Sequence, residues 1–107
     1  MKVLIAGGTV VGERSTARAD VLVEEGRVLD VAPSISAPAG AHVIDAQGAW
    51  VGPGFVDLHA HLREPGGEAA ETIESGARAA AVGGYSAVVA MPNTDPALDN
   101  PALVAHV

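Results

Sequence analysis

At 107 residues the chain has the length of one domain, and with 49% hydrophobic and 18% charged residues it is too apolar to be disordered by charge. Aromatic residues make up 3%, so a core has to come from Val, Ala, Leu and Ile. A net charge of −7 opposes nucleic-acid backbones, the absence of cysteine excludes disulfides and thiolate metal sites, and no apolar run reaches the ~18 residues of a membrane span.

The first half reads as β. Lys2–Ala6 is a short apolar strand that Gly7-Gly8 should end, and the charges at Glu13 and Arg14 come too early for a secretory signal. Asp20–Glu24 and Arg27–Val31 flank Glu25-Gly26, the pattern of a hairpin. Ala32–Ala41 contains Pro33, Pro38 and Gly40 and reads as a loop. His42–Asp45 is a further short strand, followed by a turn at Gln47-Gly48.

Past Gly52-Pro53-Gly54 the pattern changes. Phe55–His61 reads as a strand, and Leu62–Ala70, with Pro65-Gly66-Gly67, as a loop. From Thr72 to Val82, Ile73, Ala77, Ala80 and Ala81 share one helical face, Glu74 and Arg78 pair at i,i+4, and Gly83-Gly84 closes the helix. Ser86–Met91 is a continuous apolar strand of the kind buried on both faces, and Pro92–Pro96 is a loop. Asn100-Pro101 supplies an N-cap and a proline at the first helical position. The order strand, helix, strand, helix start is a βαβ unit, for which a right-handed crossover is expected. The last helix meets no stop signal before Val107, and a lone parallel strand pair needs cover on both faces. The expectation is therefore a piece of a larger fold, with apolar surface bare along residues 86–91 and 101–107.

His59-Ala60-His61 carries the chemistry. Residues i and i+2 of a strand share a face, so His59 and His61 project together, with Asp57 on the same side. Two neighbouring imidazoles make half of a metal site, whereas a bare His-x-His is also common among ordinary histidines. The pair ends a strand, and active-site residues of α/β barrels sit at such ends and on the loops that follow. Arg63 begins one such loop and Asn93 the next, so adjacent parallel strands would bring His59, His61, Arg63 and Asn93 to one end of the sheet. Arg63 suits a carboxylate, and Asn93 can add a hydrogen bond. The plainer readings are a salt bridge from Arg63 to Glu64 or Glu68, and a turn in which Asn93 caps its own backbone.

Asp45-Ala46-Gln47-Gly48 and the run Val51-x-Pro53-Gly54-Phe55-Val56-Asp57-x-His59-x-His61 resemble the opening signature of the amidohydrolase superfamily. The continuation His61-Leu62-Arg63-Glu64-Pro65-Gly66, with Met91-Pro92-Asn93-Thr94, resembles the dihydroorotase family within it. The resemblance implies an α/β fold: residues 1–52 as strands of a small β-sandwich-like domain, and residues 53–107 as the first βαβ unit and the start of the second helix of a (β/α)8 TIM barrel. It implies His59 and His61 as zinc ligands, with one or two Zn2+ per complete site. Arg63 and Asn93 would contact the carboxylate of dihydroorotate or carbamoyl aspartate. In the family a metal-activated water attacks the ring amide, and an Asp late in the barrel shuttles the proton.

A TIM barrel takes about 250 residues. The bridging carboxylate, the remaining metal-binding histidines and the catalytic Asp would all lie past Val107, so no catalytic residue falls within the chain, and alone it is expected to be inactive. His42 and His106 match no ligand position, and Asp57 reads as an orienting hydrogen-bond partner. Two alternatives stand beside a dihydroorotase: a sibling cyclic-amide hydrolase such as an allantoinase or hydantoinase, and a non-enzymatic homologue that assembles with a partner. The complete enzyme would be cytoplasmic, without nucleic-acid or membrane partners, with a second copy or an aspartate transcarbamoylase as candidate protein partners.

Overall fold

A nearly continuous apolar run forms one long strand, β1 (Lys2–Val11), in a computed structural model that describes residues 1–107. Gly7-Gly8 does not end the strand, contrary to the sequence expectation. β1 pairs antiparallel with β2 (Thr16–Glu24) in two registers, Lys2–Ile5 against Val21–Glu24 and Gly8–Val11 against Thr16–Ala19. Ala6 and Gly7 together therefore oppose Asp20, a β-bulge with Gly7 at φ 75°. The Asp20 carboxylate holds it: Oδ1 accepts the Gly7 N–H at 2.7 Å, and Oδ2 accepts the Ile35 N–H at 2.8 Å. These two donors favour the ionised form and place the Asp20 pKa below the ordinary carboxylate value.

β3 (Arg27–Ala32) completes the expected hairpin with β2, its turn at Glu25-Gly26 having positive φ at both residues. β4 (His42–Asp45) and β5 (Trp50–Val51) pair parallel to β1 on the edge that β2 leaves free, giving the order β3-β2-β1-β4. Leu4, Ala19 and Val21 are buried in this sheet, together with Asp20 and with Ala46 just past β4. These elements make up the first of two units, Met1–Pro53.

The second unit is Gly54–Val107. β6 (Phe55–Ala60) and β7 (Tyr85–Ala90) pair parallel, joined through α1 (Ile73–Val82), which packs on β7. Thr72 and Ser75 form a reciprocal capping box at the start of α1, and Gly83 closes it. α2 (Pro101–His106) starts as its sequence predicts, the Asn100 side chain accepting the Leu103 N–H at 3.1 Å. No residue of this unit is buried. Val88 lines a hollow with Ala79 and Ala80 of α1, whereas Val89 is 46% exposed. The expected burial of β7 on both faces is thus corrected, because one helix covers one face of a strand. Phe55, Val56, Leu58, Val82 and Val104 are exposed as well. No helix is long and apolar enough to cross a membrane.

Candidate functional site

Parallel pairing places the C-terminal ends of β6 and β7 at the same end of their sheet. His59 lies within β6, and the Asp57 Oδ1 accepts its backbone N–H at 2.9 Å. That local bond draws the His59 amide out of the ladder, whose register shifts between Asp57 and Ala60. Asp57 thus grips the His59 main chain. His61 lies one residue past the strand, and the two imidazole centroids are 5.1 Å apart at 60°.

The loops after the two strands are docked on each other. The Met91 N–H donates to the Ala60 carbonyl at 2.8 Å, and the Asp95 N–H to the Pro65 carbonyl at 3.1 Å. Gly66 sits at φ 93°, where a Cβ would lie 2.2 Å from the Asp95 carbonyl oxygen, so only glycine fits the contact. Between the loops is an open hollow of about 200 Å³, lined by His61, Arg63, Gly66, Asn93 and Thr94 among others. His61 Nδ1 and Asn93 Oδ1 are 3.0 Å apart.

Arg63 occupies the left-handed region at φ 62°, which costs a non-glycine residue roughly 1–2 kcal/mol. Such strain clusters at functional sites. Neither carboxylate that could neutralise Arg63 from its own loop does so. Glu64 Oε2 accepts the Ile73 N–H at the start of α1 at 2.6 Å, and Glu68 Oε1 accepts the Gly66 N–H at 2.9 Å. The Gly66 N–H also lowers the Glu68 pKa. No ion pair involves Arg63. Asn93, for its part, gives its oxygen to His61 instead of to its own turn.

His59, His61, Arg63 and Asn93 therefore come together in the second unit. His42 starts β4 in the other unit, and His106 ends α2. Two imidazoles can hold a cation from one side, and no group of three or more potential ligands surrounds them. A guanidinium and a carboxamide beside them can meet a carboxylate. Two features were not read from the sequence: Glu64 as a cap for α1 nine residues on, and the Asn93–His61 bond. The glycine pair at 66 and 67 signals the close loop contact, but a bond between loops 32 residues apart leaves no local pattern.

A family described as dihydro-orotase-like matches residues 48–105. The dihydroorotase of Mycobacterium tuberculosis is 53% identical over 107 residues, covering all of this chain and 24% of that protein. That of Solibacter usitatus is 48% identical over 109 aligned residues, again covering the whole chain and 25% of the relative. Among solved structures, the L-hydantoinase (dihydropyrimidinase) of Arthrobacter aurescens superposes with a TM-score of 0.84 at 28% identity, over 97% of this chain and 23% of its own. A D-hydantoinase from Bacillus sp. AR9 gives a TM-score of 0.77 at 40% identity, over 96% of this chain and 23% of its own. The chain spans about a quarter of the length of the curated relatives it matches, and its α/β fold is that of the N-terminal part of a TIM-barrel amidohydrolase.

Proposed function

Because the chain belongs to the dihydro-orotase-like family, we propose that it forms the N-terminal part of a zinc-dependent cyclic amide hydrolase, one that interconverts N-carbamoyl-L-aspartate and (S)-dihydroorotate in cytoplasmic pyrimidine synthesis. The observation that carries this reading is the shared hollow: Arg63 and Asn93 line it beside His61, whose ring lies 5.1 Å from that of His59. Neutral imidazoles suit zinc, and both rings come from the end of one strand, so they fit as two of its ligands. Zinc, when bound there, supplies Lewis acidity toward an amide carbonyl. The other steps assigned to this chain are binding steps. Arg63 holds the substrate carboxylate through paired N–H donors, and the Asn93 amide adds a third. A catalytic zinc takes three protein ligands. The 107 residues alone hold two and should not turn over dihydroorotate.

A hydantoinase is the second reading, favoured by the structural likeness to hydantoinases at 28% and 40% identity. Hydantoin and allantoin carry no carboxylate to match an unpaired Arg63, which supports the first reading over it. A chimera tests the choice: this chain replaces the matched N-terminal quarter of the Mycobacterium tuberculosis dihydroorotase. The expected substrate is dihydroorotate. Arg63→Lys keeps the charge and loses the planar fork, so kcat/KM should fall roughly 10- to 100-fold, at about 1.4 kcal/mol per factor of ten, with zinc content unchanged. Preferential turnover of hydantoin, or dihydroorotate kinetics indifferent to Arg63→Lys, would overturn the assignment.

A further inference from the structure

The carboxamide of Asn93 has two ends, and carboxylate binding uses only its N–H donors. Its Oδ1 lies 3.0 Å from Nδ1 of His61. A carboxamide oxygen only accepts, and a neutral imidazole has one N–H and one lone pair. The contact is satisfied only when Nδ1 carries the hydrogen, and the lone pair is then on Nε2. The bonds from Met91 to Ala60 and from Asp95 to Pro65 bracket Asn93 and tie its loop to the loop that follows β6. The His59 ring has no hydrogen-bond partner; that residue is held through its backbone amide by Asp57.

We propose that Asn93 is a positioning residue for the metal, its Oδ1 fixing His61 as the Nδ1–H tautomer with Nε2 free to ligate, while its Nδ2 serves the substrate carboxylate. The inference rests on the reading of His59 and His61 as zinc ligands and deepens it. One side chain then links the two halves of the site: the oxygen orients a ligand and the nitrogen meets the substrate. His59 has no such constraint, so the two imidazoles of one motif should differ in tautomer before any metal is added.

Ring nitrogen NMR of the metal-free chain, at about pH 8.5 and so well above the ordinary imidazole pKa of ~6.5, reads this directly. His61 should be the Nδ1–H tautomer and His59 a mixture. Asn93→Ala should release His61 to a mixture, and Asn93→Asp, which keeps an acceptor, should restore Nδ1–H. A zinc titration followed by the same signals should show affinity falling about 10- to 100-fold in Asn93→Ala and staying within roughly tenfold of wild type in Asn93→Asp. In the chimera, Asn93→Asp should retain zinc yet raise KM for dihydroorotate, since a carboxylate now faces a carboxylate. An Nε2–H tautomer for His61 in the wild type overturns the inference, and so do a tautomer and zinc affinity unmoved by Asn93→Ala. Zinc binding that survives loss of both His59 and His61 overturns the metal reading instead, while the wild-type tautomer still reports on Asn93.

Discussion

The two units divide the work of the chain unequally. Met1–Pro53 holds every buried side chain, in a mixed five-stranded sheet around Leu4, Ala19, Val21 and Ala46. Gly54–Val107 has no fully buried residue, yet it holds both imidazoles of the HxH motif, the strained Arg63 and the docked loops. Two parallel strands and one covering helix suffice to place side chains at one end of a sheet. They do not suffice to exclude water, since each fully buried aliphatic side chain contributes about 1.5–3 kcal/mol and here most stay exposed. Site geometry in the second unit comes from hydrogen bonds and a tight loop contact, while stability in the first comes from a core.

If that division holds, the largest effect should come from the site and leave stability alone. His59→Ala with His61→Ala in the chimera removes both imidazoles proposed to hold zinc. It should lower turnover by more than the ~10- to 100-fold that loss of an outer partner costs, with zinc content falling in parallel. The melting temperature of the isolated 107-residue chain should not move, because neither ring contributes to a core. A parallel fall in melting temperature would mean that the motif is structural.

The reverse experiment places an aliphatic-to-alanine substitution on a strand of each unit. Leu4 is 3% exposed, and Leu4→Ala should cost ~2–5 kcal/mol as a cavity opens in the sheet. Val89, 46% exposed on a strand of similar sequence character, should lose less than ~1 kcal/mol when replaced by Ala. Denaturant unfolding of the chain measures both. Equal costs would show that β7 is covered in solution and would erase the contrast between the units.

How much of this was legible in the sequence follows from how local each signal is. The convergence of His59, His61, Arg63 and Asn93 was legible because strand period and loop position are local, and parallel pairing does the rest. The start of α2 was legible for the same reason, Asn100-Pro101 being a cap signal in two residues. The continuation of β1 through Gly7-Gly8 was not, because the bulge is held by Asp20, thirteen residues away. β5 was missed because two residues, Trp50 and Val51, carry no pattern and pair only through β1. The place of Asp57 beside the histidines marks it as an orienting partner, but that it acts on the His59 amide depends on a bulge at the end of the strand.

Asp20 offers the smallest and most selective perturbation, one confined to the first unit. Its carboxylate accepts two backbone N–H groups, from Gly7 and Ile35, and both favour the ionised form. The folded pKa is therefore depressed below the unfolded value of about 3.9. A group of this sign contributes its stability in full above the unfolded pKa and loses it as pH falls through the folded pKa. Asn keeps one accepting oxygen and sets an NH2 against the other donor, so Asp20→Asn imitates the protonated acid at every pH. The variant should melt below the wild type at pH 7, by less than Leu4→Ala. The gap should narrow once pH drops below about 4, as the wild-type carboxyl takes up its proton. The Asn93–His61 contact lies in the other unit, and its tautomer signal should be the same in both proteins. A melting gap that stays constant with pH would mean that Asp20 stabilises the bulge by shape, without its charge. A changed His61 signal would mean that Asp20 also affects the second unit, and that stability and site geometry are not separable between the two.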